Sequence, residues 1–129
     1  MSEWRRKAIE LLPELEKTVA AAGSPMALWI DLHLAFARGH EQKNTALLQQ
    51  ILKYARWCWA AESDDTVTAV HCAFFEHLPE YPGMRRDIPR WFTASEFERL
   101  REVFLYHSSP DVIAEIARQY APRAAGRGR

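Results

Sequence analysis

Three polar side chains stand where apolar faces are expected, and they are the first candidates for chemistry. His33 projects between Trp29 and Phe36 at helical spacing, and His71 lies among Val67, Val70, Phe74 and Phe75. A desolvated imidazole titrates near neutrality and can act as a general base or a ligand. Glu76 is the third, because a carboxylate on an otherwise apolar helix needs a cationic partner if it is buried. Arg85, Arg86 and Arg90 follow closely enough to supply one and so to anchor the intervening chain. His33, His71 and Glu76 together outline the internal pocket of a small enzyme or ligand-binding domain, which is the alternative reading of this sequence. No nucleophile–base pairing and no full ligand set is placed around either histidine. Both are therefore read first as core imidazoles with one hydrogen bond each.

The run His71-Cys72-Ala73-Phe74-Phe75-Glu76-His77 invites a metal reading, but its two histidines are six residues apart and point to different sides of a helix. Cys72 and Glu76 share a face at four-residue spacing, which supplies two ligands and no more. Cys58 and Cys72 match no zinc or redox spacing and are expected as buried thiols. No metal site, no cofactor and no catalytic residue is expected.

The segment from Pro79 to Phe92 is the expected binding surface. Pro79, Pro82, Gly83 and Pro89 break helical periodicity there, so it reads as a long Pro- and Arg-rich loop between the fourth and fifth helices. Tyr81, Arg85, Arg86, Arg90 and Trp91 are its binding candidates, since interface centres favour planar guanidinium groups beside rigid aromatic area. The same residues fit a stiff connector whose Ile88, Trp91 and Phe92 pack on the core. A phosphate or nucleic-acid site is not expected, because neither a glycine cradle nor a basic helix accompanies the arginines.

The elements that must position these residues are helical throughout. Trp4, Ala8, Leu11, Leu15, Val19 and Ala22 form one stripe at three- and four-residue steps, with a kink or restart at Pro13 and a stop at Gly23. Ser24-Pro25 opens a second helix to about Arg38, apolar on most of its circumference and so expected to meet neighbours on several sides, with Gly39 as its stop. A third runs from Asn44 or Thr45 to about Glu62. A fourth, from about Thr66 to Leu78, is apolar nearly all round and reads as the central element. Thr93-Ala94-Ser95-Glu96 is a capping box that opens a fifth helix, and Ser109-Pro110 opens a sixth. The expected fold is all-α, with about six helices in an irregular antiparallel bundle or stacked helical hairpins. Residues 1–121 read as a single helical domain and residues 122–129 as a flexible basic tail.

The composition agrees with this picture. A 129-residue chain that is 48% hydrophobic and 26% charged, with five Trp, four Tyr and six Phe, can build a core without disulfides or a metal. Lys plus Arg and Asp plus Glu balance at 17 each, so no net field draws the chain to nucleic acid or an anionic membrane. No stretch approaches a membrane span, and Met1-Ser2-Glu3-Trp4-Arg5-Arg6 does not read as a signal-peptide core, so a cytoplasmic location is expected.

Tyr54-Ala55-Arg56-Trp57-Cys58, Thr68-Ala69-Val70, Ala73-Phe74-Phe75-Glu76-His77-Leu78-Pro79 and Arg86-Asp87-Ile88-Pro89-Arg90-Trp91 are the motifs by which the chain, from about Leu12 to Tyr120, resembles a family of small all-helical bacterial proteins of unknown function. Some small families of this kind look like immunity proteins encoded beside secreted toxins. The resemblance assigns no catalytic residue. The function it implies is non-catalytic binding of a protein partner, with self-association left open.

Overall fold

The computed structural model describes residues 1–120. Among them every regular element is helical and no strand occurs, as the periodicity requires. Among the described residues eight α-helices are formed rather than about six. One of the two additional helices comes from a break at Pro13, the other from the segment expected to be a loop. The tail expected at 122–129 lies outside the described residues. Among the described helices none is long and apolar enough to cross a membrane.

The chain divides into two compact units, the first spanning Met1–Phe74 and the second beginning at Phe75. In the first unit, α1 (Glu3–Leu11) and α2 (Glu16–Ala21) are separated by a 3-10 turn at Pro13–Leu15. Pro13 lacks the N–H that would continue the ladder, so the helix restarts, as expected. Arg5 of α1 donates to the carbonyls of Val19 (2.8 Å) and Ala20 (3.3 Å), placing a cation at the negative end of α2.

The next helix, α3 (Pro25–Glu41), starts at the Ser24 cap, whose hydroxyl accepts from the Ala27 amide at 3.1 Å. It does not stop at Gly39. A Cβ at that position would lie 3.3 Å from Leu48 Cδ2 and 3.4 Å from Leu47 Cδ2. Gly39 is buried and lets α3 and α4 (Thr45–Trp59) approach closely, and this packing offsets its poor helix propensity. The stop is Lys43, with φ 57°, the single described non-glycine residue with positive φ. The amides of Lys43 and Asn44 donate back to the carbonyls of His40 (3.2 Å) and Gly39 (2.8 Å), the paired bonds of a Schellman ending. Asn44 then caps α4 through Leu47 N at 3.2 Å.

The last helix of this unit, α5 (Asp64–Ala73), is shorter than the sequence suggested, because the backbone leaves helical geometry at Phe74. That departure turns the Phe74 ring into the core. It lies 4.9 Å from Trp29 and 5.0 Å from Phe36, while Trp29 stacks on Tyr54 at 5.4 Å. Such ring pairs contribute roughly 0.5–1.5 kcal/mol each beyond the area they bury. Tyr54 also donates its hydroxyl to the Trp4 carbonyl at 2.8 Å, tying α4 to α1. Of the two cysteines expected inside, Cys58 is buried but Cys72 is exposed, because α5 presents that position to solvent.

In the second unit, a 3-10 helix (Phe75–Glu80) leads into α6 (Pro82–Trp91), α7 (Ala94–Phe104) and α8 (Pro110–Arg118). The expected loop at 79–92 is therefore mostly helix. Pro82 occupies the first helical position, where its missing N–H costs nothing, and Pro89 falls in the last turn. Met84 and Ile88, four apart, are buried and hold α6 in place. The capping box opens α7 as expected, with Thr93 N to Glu96 Oε1 at 2.9 Å and Glu96 N to Thr93 Oγ1 at 3.1 Å. Ser109 caps α8 through Val112 N at 3.3 Å. Phe75, Phe92, Phe104 and Phe97 form a continuous series of ring contacts that ends on Tyr120. Tyr120 donates its hydroxyl to the Phe92 carbonyl at 2.9 Å.

Candidate functional site

The second helix is expected to meet neighbours on several sides, and α3 does pack against α2, α4 and α5, yet one strip of it stays open. Leu28, Trp29, Leu32, Ala35 and Phe36 are buried on one side of α3. On the other side Met26, Ile30 and Leu34 remain 37%, 53% and 51% exposed. At 3.6 residues per turn these three fall within an arc of roughly 80°, and at 1.5 Å per residue the strip is about 12 Å long. Half-buried Ala27, His33 and Ala37 border it, and exposed Asp31 and Arg38 lie to one side. An aliphatic strip four residues apart, rimmed by charge, has the form by which a helix face meets another apolar surface.

The residues expected to bind lie on and beside α6. Tyr81 precedes the helix and is 43% exposed, and Trp91 is half-buried at its end. Arg86 and Arg90, one turn apart, face solvent, the latter 3.8 Å from Asp87. Arg85 turns inward instead and donates from Nε to the Pro79 carbonyl at 2.9 Å, clamping the 3-10 helix to the start of α6. The segment thus packs through one face and presents two guanidinium groups on the other.

Glu76 was expected to pair with one of these arginines. Its carboxylate instead meets His107, with Oε1 3.0 Å from Nε2, while its own side chain is 12% exposed. The next residue, His77, holds Glu80 through Nδ1, and its ring stacks on that of His107 at 4.5 Å with an interplanar angle of 14°. Nothing near His107 in sequence marked it for this cluster. The three-residue spacing of His77 and Glu80 was the one local signal available.

His33 and His71 both belong to the first unit. His33, on α3, sets its ring edge-on to Phe74 at 6.3 Å, and His71 is half-buried on α5. A half-open cleft of about 480 Å³ in the same unit is lined by Glu3, Trp4, Trp57, Glu62 and Thr66 among others, and neither histidine lines it. Burial pushes the Cys58 thiol up to about 11, with Trp29 and Tyr54 partly opposing the effect, which disfavours the nucleophilic thiolate at neutral pH.

No protein-family model, no curated protein and no solved structure matches the chain. The resemblance to small bacterial helical proteins gains no family from these comparisons, and the helical architecture is what stands.

Proposed function

We propose that this protein is a non-catalytic binding protein whose outward α3 strip docks on an apolar surface of a protein partner. The observation that carries this reading is the exposure of Met26, Ile30 and Leu34 on a helix whose opposite face is fully packed. Fully burying an aliphatic side chain of this size stabilises by about 1.5–3 kcal/mol, so each half-exposed one stands to gain about 1 kcal/mol on docking. The outward arginines of α6, Arg86 and Arg90, offer a second, polar surface with bidentate donors. The more specific form of this proposal is an immunity partner of a secreted bacterial toxin, which the sequence resemblance supports.

A photo-crosslinking residue at position 30 tests it. Capture in the native host of one protein, competed by added wild-type chain and lost when the crosslinker sits at position 99 of α7, is the expected result. Equal, uncompeted capture from both positions would refute docking at the strip. A toxin-like reading frame adjacent to the gene would favour the immunity form, and a metabolic operon would favour the pocket reading built on His33, His71 and Glu76.

A further inference from the structure

The second unit brings two imidazoles and two carboxylates together at one place, and neither binding surface described above uses them. One ligand atom each from Glu76, His77 and His107 lies within 4.8 Å of the others. Tetrahedral zinc, with bonds of about 2.0–2.1 Å, sets its ligand atoms roughly 3.3 Å apart. The 3.0 Å between Glu76 Oε1 and His107 Nε2 is already close to that spacing. His77 needs a small further approach.

We infer that Glu76, His77 and His107 form a binding site for a divalent transition metal of the zinc class. The donor set selects the metal: two imidazoles and one carboxylate suit zinc and its neighbours, whereas magnesium and calcium require mainly oxygen. Glu80 has the complementary part. Its carboxylate is held on Nδ1 of His77, as the carboxylate behind a metal-bound imidazole is, and it fixes the orientation of the ring. His77 and His107 have side chains 33% and 42% exposed, so the cluster opens to solvent and water can complete the coordination shell.

The stacked rings state what binding must change. A metal lies in the plane of each imidazole it binds, and two nearly parallel rings cannot both aim at one ion. One ring must rotate about its terminal torsion, which has a broad energy profile. Because His107 follows α7 and Glu76 lies in the 3-10 helix, coordination would fasten these two segments to each other.

The test is calorimetric titration of the chelator-treated full chain with Zn²⁺ and, separately, Mg²⁺. One Zn²⁺ per chain, no Mg²⁺ uptake, and a loss of about tenfold or more in zinc affinity in His107→Ala and Glu76→Gln are expected. His40→Ala serves as the control and should bind as the wild type does. Cobalt(II) gives a second readout that does not depend on any variant folding. Visible d–d bands without a sulfur charge-transfer band support the N/O site, and a sulfur band would move the metal to a cysteine and overturn the assignment. Zinc binding unchanged in the His77→Ala/His107→Ala double variant, or absent from the wild type at micromolar metal, would equally overturn it.

Discussion

Replacing Ile30 and Leu34 together by glutamine separates docking from folding. Glutamine keeps a long stem to cover the underlying helix and places an amide where the aliphatic end meets solvent. With 53% and 51% of these residues exposed, the change falls mainly on the outer half of each side chain. Folding stability should therefore shift by no more than about 0.5 kcal/mol per site. A partner that covers the strip would lose about half of the roughly 1.5–3 kcal/mol each aliphatic side chain gains on burial, summed over two sites. That is about 1.5–3 kcal/mol, or a roughly 10- to 150-fold rise in Kd. Urea unfolding and calorimetric titration with the captured partner measure the two quantities. Sedimentation of the chain alone shows whether the occupant is a second copy. Affinity within twofold of wild type would refute the docking argument, and a stability loss above about 2 kcal/mol would show that these side chains belong to the core. Arg86→Ala/Arg90→Ala is the contrasting variant; if it alone abolishes binding, the α6 face is the site.

Three further outcomes follow from the geometry. Lys43→Gly should raise stability by about 0.5–1 kcal/mol in urea unfolding, because a side chain at φ 57° carries a cost that glycine does not. A thiol reagent at neutral pH should label Cys72 in the folded protein and reach Cys58 only after unfolding, with mass spectrometry reading the two sites. Burial, with the Glu96 charge adding to it, pushes Tyr120 up to about 12 from an ordinary value near 10. The neutral phenol is thus favoured in the folded state, so its contribution is intact below about pH 10 and lost as pH rises towards 12. Tyr120→Phe should fall less steeply in stability over that range.

Several helix starts and the break at Pro13 were legible from residues within one helical turn, whereas the His77–Glu80 contact, three residues apart, was not singled out. The Ser24 and Ser109 caps, the Asn44 cap, the Thr93-Glu96 box and the interruption at Pro13 all form as the residues demand. Each is a hydrogen bond, or the loss of one, between positions no more than four apart. Breaker residues were less reliable guides. Gly39 marked close packing rather than a helix end, and Pro82 and Pro89 fitted the first and last turns of α6 once Met84 and Ile88 had an interior to enter.

Helix type and the apolar stripes were thus determined by the sequence alone, because repeating contacts at three- and four-residue spacing leave few other ways to pair the backbone. Which apolar face stays open was decided by tertiary structure. Met26, Ile30 and Leu34 look like core in a helix apolar on most sides, and only the packing of α3 through its opposite face leaves them outside. The meeting of Glu76 with His107, 31 residues later, likewise depends on where the chain returns. A side chain's type sets what it can bind; which groups stand within 3 Å of it is set by the path of the backbone between them.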